Sequence, residues 1–366
     1  MEKKRGARVK KCAIFVLLVA AAAGFIRTLP AITAFAAPAA RLSAFFAMPE
    51  GSGALGSGDT GEEDAPSQEA TSSAATSSAT STSGAQNMAT SSAIKPVNPA
   101  DIKGSVIETQ YTGASANLSW SNIFISNKTK SHTVNIEKEI KIKPDIQMEF
   151  SGKPEVLIYH THATEAYVEG DTGYFTKDHQ ARTTDTSKNV VRVGEEIAKV
   201  LEQNGIGVLH DKTLHDSPSY DAGYDNSEAA MKKYMEEYPT LKVFLDIHRD
   251  AITKENGDKM KPTVTIGGKK AAQLMIAAGC QDNGVTGFPN WMQNMRFALR
   301  LQQSLETKYP GLTRPIYFVS KKYNEYLANG SLLIEMGSEG NTLEEAIYTG
   351  ELLANALADV LRDLKK

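Results

Sequence analysis

From Pro154 onward the chain alternates short apolar runs with amphipathic stretches, and three of the apolar runs end on ionisable residues. The runs at 156–159, 206–209, 243–247, 271–278, 316–319 and 332–334 read as buried strands. Between the first two, Val190, Val193, Ile197, Val200 and Leu201 recur at helical spacing, and Gly205 ends that helix. A second helix is expected over 227–238, stopped before Pro239, and a third over 291–309. The stretch 342–364 closes the series, with Thr342 and Glu345 spaced as a capping box. Strands alternating with helices predict an α/β fold, with a mostly parallel sheet and helices on both faces.

The N-terminus has a different character. Lys3, Lys4, Arg5, Arg8, Lys10 and Lys11 precede an apolar run at 12–26 that Arg27 closes. A basic flank followed by an apolar run marks an export signal or a signal anchor, with the positive side kept inside. The run is shorter than the ~20 residues a bilayer span needs. A mostly apolar stretch at 32–46 follows it, and Ala34-Phe35-Ala36 offers a small-x-small cleavage site. Both readings place the rest of the chain outside the cytoplasm, and the length of the apolar stretch favours an anchor. Residues 51–92 are Ser, Thr, Ala and Gly with an acidic patch at Glu62, Glu63 and Asp64, a composition that cannot offset the entropy of ordering. They read as a tether.

These shifts divide the chain into a cytoplasmic tail and membrane segment at 1–50, a linker at 51–95, a small β-rich region at 96–153 and a main domain at 154–366. In the β-rich region 105–110, 118–126 and 134–143 read as strands, with turn chemistry at Asn127-Lys128-Thr129. This region forms either a subdomain or the first strands of the main sheet. A net charge of -3 supplies no global field for nucleic acid. Cys12 and Cys280 lie in segments that a disulfide would not join.

In open α/β sheets, sites gather at the carboxyl ends of strands. Three such ends carry chemistry: Tyr159-His160-Thr161-His162-Ala163-Thr164-Glu165, Leu245-Asp246-Ile247-His248-Arg249-Asp250, and Leu333-Ile334-Glu335-Met336-Gly337. A hydrolytic zinc ion takes about three protein ligands, commonly His and Glu, and keeps one position for water. A further carboxylate must take the proton from that water. His160 or His162, His248 and Glu165 are the candidate ligands, with Asp185 an alternative to Glu165. Glu335 is the candidate general base. In an extended chain His160 and His162 point the same way, so either both reach the metal or one ligates while the other orients substrate, and the sequence does not choose. Arg249 either pairs with Asp250 or binds a substrate carboxylate, which its forked donors suit. Tyr323, Asn324 and Tyr326 suit a groove lining or a turn. Phe288 and Trp291 read as packing, Cys280 as a small core residue, and His179, His210 and His215 as surface residues.

Four blocks are shared with a known family: Val156-Leu-Ile-Tyr-His-Thr-His-Ala-Thr-Glu165-Ala-Tyr167, Asn189-Val-Val-Arg-Val-Gly194, Asp246-Ile-His-Arg-Asp-Ala251, and Leu333-Ile-Glu-Met-Gly337 with Asn341. From about Leu118 to the end, the chain resembles the stage II sporulation protein P family. That family is related to zinc-dependent N-acetylmuramoyl-L-alanine amidases with a phosphorylase/hydrolase-like α/β fold. The resemblance implies cleavage of the amide between the lactyl group of muramic acid and L-alanine, and also endopeptidase action on peptide cross-links. It implies work at the sporulation septum during engulfment, in a membrane complex with sporulation proteins D and M of the same stage. Carried onto this chain, it makes His248 a zinc ligand and Glu335 catalytic, and favours His162 as the other histidine. The glutamate ligand of the wider amidases has no counterpart at the start of the first helix, where Asp185, Thr186 and Ser187 stand, and Glu165 takes that place. The competing expectation is a non-catalytic septal protein that binds peptidoglycan.

Overall fold

The computed structural model describes residues 97–366, and the apolar N-terminal stretch and the tether lie outside them. Among the described residues no helix is long and apolar enough to cross a membrane. In chain order the elements are β1 (Ile102–Thr109), β2 (Leu118–Trp120), β3 (Ile123–Asn127), α1 (Ile136–Glu139), β4 (Val156–Tyr159), β5 (Tyr174–Thr176) and α2 (Val190–Gln203). There follow β6 (Val208–His210), α3 (Gly223–Glu237), β7 (Val243–Asp250), β8 (Lys259–Ile266), β9 (Lys269–Ala272) and β10 (Leu274–Gly279). The chain continues with α4 (Trp291–Lys308), β11 (Ile316–Val319), β12 (Ser331–Ser338) and α5 (Leu343–Asp363).

The principal sheet has eight strands in the order β2-β3-β11-β10-β12-β7-β4-β6. β12, β7, β4 and β6 run parallel to one another. β10, β11 and β3 are also mutually parallel, but β10 meets β12 antiparallel. The sheet is therefore mixed: two parallel blocks of opposite direction meet between β10 and β12, β2 adds an antiparallel edge on β3, and this corrects the expectation of a mostly parallel sheet. The alternation of strand and helix constrains only strands joined by crossovers. β10 reaches its place from the β8–β9 hairpin and so escapes that constraint.

A second sheet of four strands has the order β5-β1-β8-β9. Lys261 of β8 holds it to the start of α5. Its buried ammonium lies 2.6 Å from Asp171 Oδ1 and 2.7 Å from Glu345 Oε1. The β-rich N-terminal region is thus divided. The β2–β3 hairpin extends the principal sheet through β11, and β1 enters the smaller one through β8. Residues 134–143 are not a strand; Asn135 caps the short α1 by accepting from Lys138 N. The run at 271–278 divides at Gln273, whose amide bonds Tyr111 N, Tyr111 O and Gly311 O.

Strand period sorts the core. Val156 and Ile158 of β4 enter a large cluster with Val190, Val193, Ile197 and Leu201 of α2, Leu301 of α4 and Leu353 of α5. Leu157 and Tyr159 point the other way, onto Met231 of α3 and Phe244 of β7. Helices therefore cover both faces, as alternation predicts. Burying each such aliphatic side chain contributes about 1.5–3 kcal/mol. The expected capping box is present at α5: Glu345 N donates to Thr342 Oγ1 and Thr342 N to Glu345 Oε2.

Candidate active site

The same period decides which polar groups can meet. On β7, Val243, Leu245 and Ile247 enter the large core, so Asp246 and His248 point to the α3 face. On β12, Leu332, Ile334 and Met336 enter that core, so Glu335 shares the face of His248. The register pairs Glu335 with His248 directly.

On β4, His160 follows Ile158 toward α2. Its Nδ1 lies 2.8 Å from Ile247 O and its Nε2 2.9 Å from His210 Nε2. Burial lowers His160 to about 4 and His210 to about 2, so the contact joins two neutral rings. The extended run ends at Tyr159 and the chain turns, with Glu165 N donating to His162 O. That turn carries His162 to the opposite face. Its ring stands edge to face with His248 at 5.5 Å and stacks on Tyr220 at 4.1 Å. The expectation that His160 and His162 share one side is thereby corrected: His160 is placed away from His248, and His162 beside it. Two glycines permit this packing. A Cβ at Gly194 would lie 2.7 Å from His160 Nε2 and from His210 Nε2, and one at Gly223 would lie 2.8 Å from Thr161 O.

Glu165 lies against His248. Its Oε2 accepts from Arg249 N at 2.9 Å and stands 3.5 Å from His248 Nδ1. Burial works to raise this carboxyl, but His248 and Arg249 bring it down to about 2. Burial would likewise lower His248, but the carboxylates of Asp246 and Glu165 outweigh it and raise the imidazole well above its usual value. His248 Nε2 is 2.8 Å from Asp246 Oδ1, although not aligned as a hydrogen bond. Asp246 also accepts from Thr161 N at 2.8 Å and from Thr161 Oγ1 at 2.6 Å. Burial, then the charge of Asp250, pushes Glu335 well above the carboxylate range.

Other candidates fall elsewhere. Arg249 is fully buried, with Nε on Ala166 O at 2.9 Å and Nη2 on Ala181 O at 2.7 Å. It braces the segment 166–181 that contains β5, which corrects the expectation of a substrate contact. Asp185 is exposed and holds its own turn through Ser187 N and Oγ. His215 is buried 2.8 Å from Asp211 Oδ2, and His210 is taken by His160, so neither is the surface residue expected. Phe288 and Cys280 are fully buried, and Trp291 stacks on Phe318, as expected of packing. Sequence reasoning missed Tyr224, whose ring meets His162 edge to face at 5.6 Å, and the supporting role of Asp246. Asp246 was within reach of the strand-period argument, since it lies two residues before His248. Nothing local marks Tyr224.

The donor set can be tested against zinc. Among the described residues no three His, Cys, Asp or Glu side chains are already gathered so as to hold a metal ion. Yet His162 Nδ1 and Nε2, Glu165 Oε1, His248 Nε2 and Glu335 Oε2 are all buried without a hydrogen-bond partner. Orphaned buried donors and acceptors are rare and call for a ligand or ion. Two imidazoles and a carboxylate are the ligands of hydrolytic zinc, so the residue types fit.

A mixed α/β protein with histidines and carboxylates meeting in a buried cluster at its strand ends is the class these observations define. The chain belongs to the stage II sporulation protein P family, whose model, described as stage II sporulation protein P (SpoIIP), matches residues 63–358. It is 31% identical over 226 residues to stage II sporulation protein P of Bacillus subtilis (strain 168). That alignment covers 58% of this chain and 51% of the relative, so the chain spans about half the length of the protein it matches. Among solved structures, the apo N-acetylmuramyl-L-alanine amidase Ami1 of Mycobacterium abscessus is 14% identical at a TM-score of 0.32, covering 58% of this chain and 99% of that one. The N-acetylmuramoyl-L-alanine amidase of Clostridium difficile 630 is 14% identical at a TM-score of 0.31, covering 58% and 97%. Likenesses of this size do not establish a shared fold.

Proposed function

We propose that the chain is a zinc-dependent peptidoglycan hydrolase of sporulation. Its principal reaction is the N-acetylmuramoyl-L-alanine amidase cleavage, with peptide cross-links as a second target. The observation that carries this reading is the meeting of His162, Glu165, His248 and Glu335 on one face, each with a buried polar atom that makes no hydrogen bond. His162, Glu165 and His248 would hold the metal. Bound zinc would supply Lewis acidity and a water of lowered pKa. Glu335 accepts the proton of the attacking water at its carboxylate and delivers it to the leaving nitrogen. Its burial favours the protonated form and so the second half of that transfer. Asp246 at Nε2 and Glu165 at Nδ1 hold the His248 ring between two carboxylates.

The anchor at 12–46, an extracytoplasmic position at the septum and association with sporulation proteins D and M belong to the same proposal. It is tested by metal analysis of the full chain, followed by incubation with intact peptidoglycan. Bound zinc and released stem peptides with free L-alanine amino termini are expected. A chain that takes up no zinc, or a zinc-loaded chain that yields no product, defeats the proposal and leaves a wall-binding protein.

A further inference from the structure

Two tyrosines border the candidate site and no step so far uses them. Tyr224 opens α3 and sets its ring edge to face on His162 at 5.6 Å. Tyr323 lies 6.3 Å from Tyr224, ring to ring, and packs over the sheet against Met275, Ala277 and Leu333. Leu333 is two residues before Glu335 on the same strand and the same face. Both phenol oxygens are buried without a hydrogen-bond partner. A phenol is protonated at neutral pH and so is a ready donor.

The two rings are held in place by other residues. Tyr323 and Asn324 both adopt left-handed backbone conformations, with φ of 46° and 59°. Strain of this kind persists only where the surroundings over-determine it. Here the clamp is the Asn324 amide, which donates to Tyr224 O at 3.0 Å and to Ser227 Oγ at 3.1 Å. Ser227 Oγ is 2.8 Å from Thr161 Oγ1, which donates to Asp246 Oδ2. The chain Asn324–Ser227–Thr161–Asp246 thus locks both tyrosines to the strand that carries His248.

We infer that Tyr224, assisted by Tyr323, donates a hydrogen bond to the oxygen of the scissile carbonyl as it becomes an oxyanion. This rests on the hydrolase reading above. In the step, the water oxygen bonds to the carbonyl carbon, its proton passes to Glu335, and the carbonyl π pair moves to oxygen, where Tyr224 O–H meets it without giving up its proton. Collapse re-forms the carbonyl and breaks the C–N bond, and the proton on Glu335 leaves with the nitrogen. The products are a carboxylic acid and an amine, which settle as a carboxylate and an ammonium once the acid's proton moves to nitrogen.

The test uses the full chain loaded with zinc, as Tyr224→Phe, Tyr323→Phe and Glu335→Gln. Tyr224→Phe should lower kcat about 10²-fold, the typical effect of losing one oxyanion donor, with KM nearly unchanged. Tyr323→Phe should cost less, and the double variant less than the product of the two. Zinc content should stay at the wild-type level and the melting temperature should not fall, because a hydroxyl without a partner is removed. A phosphinic analogue of the muramoyl–alanine linkage, a tetrahedral mimic, should bind Tyr224→Phe about 10-fold or more weakly than wild type. Wild-type kcat and phosphinate affinity in Tyr224→Phe would overturn the inference, as would a loss of activity that tracks lost zinc or a lowered melting temperature. A zinc-loaded wild-type chain that releases no product sinks the hydrolase reading instead, which keeps the two failures apart.

Discussion

Glu335 and His248 stand opposite each other on neighbouring parallel strands, paired in register between β12 and β7. Both side chains are buried, and both point away from the large aliphatic core. A carboxylate so placed lies beside the imidazole without a hinge or a mobile loop.

Glu335→Gln keeps the shape of the side chain and removes its capacity to carry a proton. The variant should fold, retain zinc and lose about 10²–10⁴ in the rate of stem-peptide release. Metal content and product release measured on one preparation check this. Equal activity would remove Glu335 from the chemistry.

Gly194→Ala should destabilise the protein, against the usual rule. Alanine in a helix interior is favoured over glycine by about 1 kcal/mol. At this position the new methyl would lie 2.7 Å from the Nε2 atoms of His160 and His210. Overpacking typically costs about 1–3 kcal/mol, so the net change should be a loss. Urea unfolding reads it, and a gain in midpoint would show that the histidine pair yields easily.

Arg249→Lys should be costly in stability while leaving substrate affinity nearly unchanged. The guanidinium spans Ala166 O and Ala181 O, and a single ammonium cannot reproduce that fork. A loss of about 1.5–3 kcal/mol per charged hydrogen bond is expected. A raised KM with unchanged stability would return Arg249 to the role of substrate anchor.

Acid stability should depend on Asp211. Burial tends to raise its pKa, but His215 and Thr213 hold it down to about 2, from an ordinary 3.8. A carboxyl depressed in the folded state stabilises fully above its unfolded pKa and loses that contribution as pH falls through the folded one. The advantage of wild type over Asp211→Asn in urea midpoint should therefore hold at pH 6 and fade between about pH 4 and pH 2. A difference that persists at pH 2 would assign the effect to packing.

The elements with strong local signals were legible in the sequence: β4, α2, α4, β11 and α5 lie close to where spacing, caps and breakers put them. Sheet order was not, because the antiparallel meeting of β10 with β12 depends on a hairpin whose strands β8 and β9 carry no clear alternation. His248, Glu335 and His162 stood out because ionisable residues at strand ends are costly to bury without a purpose. The choice between His160 and His162 was closed to pattern reading. It turns on where an extended run gives way to a turn, and that is set by the packing of α2 and α3 through Gly194 and Gly223. Arg249 misled for a related reason: a forked donor beside a site looks the same in sequence whether it holds a ligand or its own loop.

β12 is the last of the described strands to be synthesised, yet it lies in the middle of the principal sheet, between β10 and β7. Until it arrives, both neighbours present open hydrogen-bonding edges, and a growing chain has two half-sheets with nothing between them. The strand that joins them also brings Glu335. A polypeptide truncated before β12 therefore lacks both the seam of the principal sheet and Glu335, so closing the scaffold and completing the candidate site are one event.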